Sequence, residues 1–422
     1  MPDRHRLCDL VASVGKPVAR IALSRETAAG ILAFLVMIAF WPGVLASGLV
    51  PRWAVLFVGL PLIVGVRMTA LHWLGLAFLT YAALSLTWSP FKLDGLYELV
   101  IFAALALAFC IGSALRDPAP VFIGAAAGLG VSSLVACIQW WYIWRNIGNE
   151  NPSIPGILPI PGILQLTPNP SGLFVNSDLM GEVSALVIAG IVAGALGAGR
   201  YPVAVSCFVC ALPALLLSHH RTSMIAFGTA GMIWAMQRYE RELICCWSQD
   251  KWAKISWTFI GILLSFPTIL GIVFFLKPFE WQAIGDRLDI WHATISGFYW
   301  FGHGTGSFRG LFPLYGMTET EAPVEYAHND MLQLAFEYGV AALAPLVIAL
   351  AAAFSASPMR YVVIVFMVEG LFGFPLYMPA TGFLAALAAG HCSRDWSRLG
   401  WRELRGRMAL YRGLGGARYR PA

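Results

Sequence analysis

Long apolar runs, separated by short polar breaks, recur along most of the chain. Many of these runs approach the roughly 20 residues that an α-helix needs to cross the hydrocarbon core of a bilayer. The pattern predicts an all-α, polytopic integral membrane protein with about 12 transmembrane helices, the first two separated by a break at Pro51 and Arg52. The expected spans cover about residues 27–49, 53–66, 70–88, 93–115, 119–144, 179–199, 201–217, 224–237, 255–276, 329–354, 361–375 and 379–392.

Composition narrows the class of protein. Of the 422 residues, 58% are apolar and 12% are charged, and the mean hydropathy is +0.70. An ordinary soluble domain carries about 25% charged residues, so that class is excluded. We expect one transmembrane domain over residues 27–392, with basic tails at 1–26 and 393–422. The first span is too long for a cleaved signal peptide and is expected to remain as an anchor.

The net charge of +5 reflects basic residues that gather in the two tails. Both tails flank membrane spans, so we interpret their charge by the positive-inside rule and expect no nucleic-acid binding. With both termini cytoplasmic, the charged connectors fall inside, whereas residues 145–178, residues 219–221 and a long loop at about 277–328 fall outside. The second tail has an apolar and a basic helical face, which predicts an amphipathic helix on anionic membrane lipids.

The most unusual polar stretch runs from the long loop into the tenth span. His328 lies at that boundary, and Asn329, Gln333 and Glu337 follow at a spacing of four residues, on one face of a helix. Placing such groups at or below the membrane surface costs about 2–3 kcal/mol or more each, so we expect them to be paired or functional. The stretch is a candidate active site. The alternative is a polar stripe that hydrogen-bonds neighbouring helices.

His328 has the properties of a general base in this setting. A helix N-terminus carries a partial positive charge, which disfavours imidazolium and favours a neutral ring. A neutral imidazole can accept a proton near pH 7. We expect His328 to be catalytic, with Asn329, Gln333 and Glu337 in supporting roles.

Two arginines on the same predicted side of the membrane are candidates for phosphate binding. Arg221 begins the eighth span, and Arg287 begins an amphipathic segment in the long loop. The apolar face of that segment would lie on the outer leaflet and comprises Leu288, Trp291, Ile295 and Phe298. A guanidinium is planar, always charged and bidentate, which suits a phosphate group. For Arg287 the alternatives are snorkelling or a surface salt bridge with Asp286 or Asp289.

A glycine-rich segment, called the glycine turn below, follows at residues 302–306 with the sequence Gly302-His303-Gly304-Thr305-Gly306. No strand pattern precedes it, which argues against a dinucleotide-binding loop. Gly304 and Gly306 favour a tight turn, and the alternative is that their backbone N–H groups approach a phosphate. We expect the turn to tolerate substitution of His303.

The sequence indicates neither a metal site nor a disulfide framework. His219, His220 and His303 lack carboxylate partners at the spacing of metal ligands. Most of the eight cysteines lie in or beside apolar spans, and the long loop contains none. We therefore expect no metal and no other cofactor.

Five motifs stand in order between about residues 165 and 390. They are residues 172–177 with Asn176, residues 218–221 with Arg221, residues 302–308, the stretch His328-Asn329 followed by Leu332-Gln333, Glu337 and Gly339, and residues 374–376. Together they resemble the motifs of the O-antigen ligase and polymerase superfamily. Ile225 stands where the ligase pattern has Leu, and Ala342 stands where that pattern often has Gly. The second departure leaves ligase and polymerase both open.

The resemblance implies a membrane glycosyltransferase of the bacterial inner membrane that acts on the periplasmic side. Its donor would be an undecaprenyl-diphosphate-linked glycan, and its acceptor would be lipid A-core, as for an O-antigen ligase in lipopolysaccharide biosynthesis. A polymerase of O-antigen or exopolysaccharide repeat units would use a second glycan chain as acceptor. The residues agree with a metal-independent, inverting displacement, in which Arg221 and Arg287 stabilise the diphosphate and His328 activates the acceptor.

A transporter is the alternative from another class of protein. The carboxylates of Glu98, Glu182, Glu337 and Glu369 fall within apolar spans and would line a proton or solute pathway. However, the two halves of the chain show no repeat, and the polar groups gather on one side of the membrane rather than at its midplane. This distribution favours the transferase.

Overall fold

The computed structural model describes residues 24–39, 49–145, 171–174, 176–196, 200–245, 281–316 and 324–398. Within these ranges the chain is helical and contains no β-strand. The helices are α1 (Arg25–Ile38), α2 (Leu49–Phe57), α3 (Ala70–Ser85), α4 (Lys92–Ala114), α5 (Ala119–Arg145), α6 (Ser177–Ile191), α7 (Tyr201–Ser218), α8 (Arg221–Cys245), α9 (Trp281–Ser296), α10 (Phe308–Leu311), α11 (Asp330–Tyr338), α12 (Leu343–Ala353), α13 (Arg360–Gly370) and α14 (Pro379–Arg398). Short 3-10 turns lie at Leu60–Ile63, Phe312–Leu314, Gly339–Ala342 and Pro375–Tyr377.

Five described segments are long and apolar enough to cross a membrane, and each coincides with a predicted span. They are Lys92–Ala114, Ala119–Trp141, Ser177–Gly194, Tyr201–Ser218 and Asp330–Ala353. The all-α class and membrane-crossing helices are therefore supported. The count of about 12 spans and the periplasmic position of the long loop stay predictions, and the span expected at 255–276 lies outside the described residues.

The second helix begins earlier than the sequence predicts. The expected break at Pro51 and Arg52 is wrong, because both residues lie in the first turn of α2. Proline costs little there, since the first N–H groups of a helix have no intrahelical acceptor. Arg52 is fully buried and donates a hydrogen bond to the carbonyl oxygen of Leu173 at 2.7 Å, which ties α2 to the segment before α6.

The centre of the described bundle is α6, which contacts α5, α7, α8, α13 and α14. Every residue from Leu179 to Ile191 is buried, as expected for a helix that is apolar around its circumference. Nearby, α4 and α14 cross so closely that a Cβ on Gly112 would lie 1.9 Å from the carbonyl oxygen of Leu387. Small residues at such crossings allow helix backbones to approach.

The predicted tenth span is interrupted in its middle. α11 ends at Tyr338, and the 3-10 turn Gly339–Ala342 separates it from α12. Gly339 has a φ of +56°, and a Cβ there would lie 2.0 Å from the carbonyl oxygen of Trp300, so only glycine fits. Irregular backbone at this depth is tolerated where protein buries it. As a result, α11 is a short separate helix whose N-terminus meets the long loop.

Candidate active site

His328 lies immediately before α11 with a backbone φ of +51°. Few non-glycine residues adopt this left-handed conformation, and strain of this kind gathers at active sites. Its half-buried ring packs edge-on against Phe374, with ring centroids 5.2 Å apart and an interplanar angle of 67°. The backbone conformation and this contact together define the orientation of the imidazole.

Two predicted supporting residues fix the backbone on either side of His328. Asn329 is the N-cap of α11, and its side-chain oxygen accepts the N–H of Leu332 at 3.0 Å. Such caps typically stabilise a helix by about 0.5–2 kcal/mol. Gln333 is buried one turn later, and its Oε1 accepts the N–H of Ala327 at 3.0 Å. These two side chains therefore hold the backbone on both sides of the histidine.

The helix α9 confirms the predicted amphipathic segment, with one difference. The outward apolar side chains Leu288 and Ile295 of α9 are exposed, as is Phe298 just after the helix. Trp291, which the pattern places on the same face, turns inward instead, and its Nε1 donates to the carbonyl oxygen of Ala327 at 3.1 Å. This hydrogen bond attaches α9, and hence Arg287, to the residue that precedes His328.

Arg287 lies in an acidic and histidine-containing environment. Its charge acts on both Glu182 and His328, and Asp178 acts on the same two groups. Among the described residues, Arg287 makes no hydrogen bond or ion pair, so the expected alternative of a salt bridge with a neighbouring aspartate is not present. The guanidinium is therefore free to bind an anion next to the imidazole.

The surroundings of His328 favour its neutral form strongly. Burial and, to a lesser extent, the positive charge of Arg287 lower the pKa of the ring from 6.5 to about 4, against the opposing effect of Asp178. The ring is thus neutral at pH 7, as the sequence predicts, but the causes are burial and a nearby cation rather than the helix dipole alone.

Arg221 is the first residue of α8 and is half-buried. The turn before it packs on α6, because a Cβ on Gly181 would lie 2.6 Å from Ser218 Oγ and 2.7 Å from His220 Cβ. The next residue of α6 is Glu182, on which Arg287 acts. The N-terminal part of α6 therefore connects the Arg221 turn with the Arg287 region.

The carboxylates of Glu337 and Glu98 hold the glycine turn and the helix that follows it. Glu337 Oε1 accepts the N–H of Phe308 at 3.0 Å, and Glu98 Oε2 accepts the Thr305 hydroxyl at 3.2 Å. Glu98 also accepts the N–H of Gly306. Both glutamates are buried, so these bonds offset part of the cost of removing the groups from water. Glu337 thus supports the site by anchoring the chain.

The glycine turn is a structural joint between α3, α4 and α11. Gly302, Gly304 and Gly306 have φ values of +69°, +95° and +67°. The N–H of Gly304 donates to the carbonyl oxygen of Glu337 at 2.9 Å, and the N–H of Gly306 is also used within the protein. With both amides engaged, the contacts favour the turn-making role of Gly304 and Gly306 over phosphate binding.

His303 is packed, contrary to the expectation that the turn tolerates its substitution. Its Nε2 lies 2.7 Å from the carbonyl oxygen of Gly297, and its ring lies 4.5 Å from that of Phe336, centroid to centroid. Phe336 belongs to a small buried cluster that joins α9, α10 and α11. Replacing His303 would therefore disturb the fold around the site.

Asn176 caps α6, where its side chain accepts the N–H of Leu179 at 2.8 Å. This bond fixes the start of the helix that carries Asp178 and Glu182. The predicted asparagine is thus a positioning residue, and the structure shows no role for it in direct contact with a reacting group.

Three residues near His328 were not among the predicted site residues. Asp330 is buried and its Oδ2 accepts the N–H of Leu376 at 3.1 Å. Tyr326 stacks on Phe374, with centroids 4.3 Å apart and planes at 12°. A first-turn acid and two aromatics have no distinctive spacing, although Phe374 belongs to the last of the five motifs.

In the described part of the chain, no group of three or more His, Cys, Asp or Glu side chains is arranged to hold a metal ion.

A comparison with models of protein families finds a match. The model of the O-antigen ligase family matches residues 206–347. This range contains Arg221, Arg287, the glycine turn and His328. No curated protein matches the chain. This match supports the resemblance to the O-antigen ligase and polymerase superfamily that the motifs indicate.

Proposed function

We propose that this protein is a metal-independent, inverting membrane glycosyltransferase of the bacterial inner membrane. It would move a glycan from undecaprenyl diphosphate to an acceptor hydroxyl on the periplasmic side. The observation that carries the proposal is the neutral imidazole of His328 together with the guanidinium of Arg287, whose charge acts on that ring and which has no hydrogen bond or ion pair among the described residues. A proton acceptor within the electrostatic range of an unpaired cation suits a reaction in which a hydroxyl loses its proton while a diphosphate leaves.

In the proposed step, the acceptor oxygen attacks the anomeric carbon of the glycan while His328 takes the hydroxyl proton. The bond from that carbon to the diphosphate oxygen breaks, and its electron pair leaves with the diphosphate. Arg287 and Arg221 would stabilise the departing charge through bidentate hydrogen bonds, so the leaving group needs no protonation. A single displacement of this kind inverts the anomeric configuration.

Donor binding would also activate the base. In the free protein, the charge of Arg287 is one of the two causes that lower the pKa of His328. A diphosphate bound to Arg287 would offset that charge and place negative charge near the ring, which favours the imidazolium form. The histidine would therefore become a stronger proton acceptor only when the donor is in place, which protects the free enzyme from non-productive protonation.

We take lipid A-core as the acceptor, in line with the description of the matching family as O-antigen ligase. A polymerase would carry out the same displacement with a second lipid-linked glycan as acceptor. Two of the four carboxylates that motivated the transporter hypothesis have a structural role instead, because Glu98 and Glu337 accept hydrogen bonds from backbone N–H groups in and beside the glycine turn.

The test uses purified membranes containing the protein, lipid-diphosphate-linked glycan as donor and lipid A-core as acceptor, in the absence of ATP. Transfer of the whole glycan to lipid A-core, with release of undecaprenyl diphosphate, would support the ligase. Elongation of the lipid-linked glycan in the same membranes would support the polymerase instead. Consumption of neither substrate, in membranes where the protein is folded, would overturn the proposal.

A further inference from the structure

A polar cavity lies beside α11, and its lining does not include Arg287. Its volume is about 130 Å³, and it is enclosed by α4, the glycine turn, α11 and the segment before α11. The lining includes Asp94, Tyr97, Glu98, Glu325, Tyr326 and Tyr377. Pockets for drug-sized ligands measure roughly 300–1,000 Å³, so this cavity suits a ligand of about one sugar ring.

The charge of this cavity is acidic. Asp94, Glu98, Glu325 and Glu337 contribute carboxylates, whereas Arg309 is the one cation among its described lining residues and is paired with Glu325 at 3.3 Å. Like charges at such short range are unfavourable, so the cavity disfavours a phosphate or diphosphate group. Its one described cation is thus engaged in an ion pair, whereas Arg287 makes no ion pair among the described residues.

One carboxylate oxygen in the cavity lining, Oε1 of Glu98, lacks a hydrogen-bond donor among the described residues. Glu98 is 4% exposed, and its Oε1 has no hydrogen-bond partner among the described residues, while its Oε2 holds the glycine turn. Leaving a buried acceptor unsatisfied is unfavourable, and a hydroxyl of a bound ligand would satisfy it. The tyrosine rings in the lining offer apolar faces with polar tips. Carboxylate oxygens and aromatic faces together recognise an uncharged sugar, through its hydroxyls and its C–H surface.

A chain of rings connects this cavity with His328. Tyr326 lines the cavity and stacks on Phe374 at a centroid distance of 4.3 Å. Phe374 also contacts the imidazole of His328 edge-on, with ring centroids 5.2 Å apart. The cavity is thus two ring contacts from the proposed base, and its lining does not include Arg287.

We propose that this cavity binds the terminal sugar of the acceptor as a neutral, hydroxyl-rich ring, and that it thereby presents the attacking hydroxyl to His328. The inference rests on the proposed transferase function. It assigns the two substrates to different sets of residues near one histidine, with the anionic donor on the arginines and the uncharged acceptor among the carboxylates and tyrosines. The residues Asp94, Tyr97 and Glu98 lie outside the range matched by the family model.

The experiment replaces two exposed residues at the cavity mouth, in Tyr97→Ala and Asp94→Asn. A matched control is Tyr201→Ala, since Tyr201 is exposed at the start of α7 and does not line the cavity. Transfer is measured with the acceptor varied at saturating donor, and then with the donor varied at saturating acceptor. We expect the half-saturating acceptor concentration to rise about tenfold in each cavity variant, while that of the donor and all values of the control stay within about twofold.

A binding measurement separates this proposal from the transferase proposal. Saturation-transfer NMR on the purified full chain would use neutral methyl glycosides as probes, with sugar phosphates as the charged comparison. We expect the neutral glycosides to bind the wild-type protein and Tyr201→Ala but not Tyr97→Ala. Glycoside binding of this pattern without any transfer would support the cavity and overturn the transferase. Transfer whose acceptor dependence is unchanged in both cavity variants would overturn the cavity and leave the transferase intact.

Discussion

The polar groups in two regions around α11 differ in how they are satisfied. In the region before its N-terminus, Arg287 acts electrostatically on His328 and has no hydrogen bond or ion pair among the described residues. In the region of its C-terminal end, Glu337 accepts hydrogen bonds from Phe308 N–H at 3.0 Å and from the Tyr377 hydroxyl at 3.4 Å. Groups that the protein satisfies itself hold the fold, whereas groups left open are available to a substrate.

The same comparison explains why polar residues in one short helix have different roles. Asn329, Gln333 and Glu337 all bind backbone N–H groups, and together they hold both ends of α11. Because burying such groups unpaired would be expensive, their hydrogen bonds are a condition for placing them in an apolar protein. His328 differs from them, since its ring is held by packing and its nitrogen atoms remain for chemistry.

The largest effect should come from His328, whose ring nitrogens have no hydrogen-bond partner among the described residues. We expect His328→Ala to lower transfer by about 10²–10⁴-fold per folded molecule, the usual contribution of a general base. The measurement is glycan transfer in purified membranes, normalised to folded protein. His292→Ala is the matched control, because His292 is exposed on α9; His303 is unsuitable, since it is packed on Phe336. Wild-type turnover by His328→Ala would remove the histidine from the mechanism.

Next in size should be the effect of changing the arginines. A lysine keeps the charge but cannot reproduce the planar fork, so Arg287→Lys and Arg221→Lys should each lower transfer about tenfold or more. Arg200→Lys is the control, because Arg200 forms a partly exposed ion pair with Asp117 at 3.0 Å. Full activity in Arg287→Lys would indicate that a point charge is sufficient and that no bidentate clamp exists.

Substitution of Glu337, whose hydrogen bonds are made within the protein, should affect folding before it affects catalysis. Glu337→Ala leaves the buried N–H of Phe308 without its acceptor, at a cost of about 1–3 kcal/mol. We expect a lower yield of folded protein and a lower thermal midpoint. Glu337→Gln keeps an oxygen at that position and should restore most of the yield. If the two variants were equally poor in yield, the charge of Glu337, rather than its hydrogen bond, would be what the fold requires.

Much of this arrangement could be predicted from the sequence. Apolar run lengths indicated α4–α7 and the segment containing α11 and α12, and the amphipathic pattern indicated α9. The polar stretch at His328 stood out because charged and amide side chains are rare in an otherwise apolar chain. These patterns involve residues that are close together in the chain, so they can be recognised in a single sequence.

Other features depend on residues that are distant in the chain. The stack of Tyr326 on Phe374 joins positions 48 residues apart in the sequence, and the hydrogen bond from Thr305 to Glu98 joins positions 207 residues apart. The interruption at Gly339 depends on the close approach of the Trp300 backbone. The spacing of apolar residues along the sequence does not indicate such a contact. The inward turn of Trp291 likewise follows from an acceptor at Ala327, not from its place on a helical face.

The smallest expected effect is on the pH dependence of transfer, and it gives the sharpest test of the roles of His328 and Arg287. With a pKa of about 4 in the free protein, His328 is protonated only in acid and is already neutral across pH 5.5–8.5. The kcat/KM for the donor reports groups of the free enzyme. It should therefore show no imidazole limb across that window and should fall only as the pH drops towards 4.

The kcat value should behave differently, because it reports the complex with bound donor. If the diphosphate offsets Arg287, the pKa of His328 rises in that complex, and the acidic limb of kcat lies at higher pH than the limb of kcat/KM. Asp178 raises the pKa of His328, so Asp178→Asn should move the kcat/KM limb to lower pH. Both profiles would be measured from pH 3.5 to about 8.5, a range that brackets the shifted and the ordinary imidazole. Coincident limbs for kcat and kcat/KM would show that the donor does not change the charge around His328, and the arginine at position 287 would then not be its binding site.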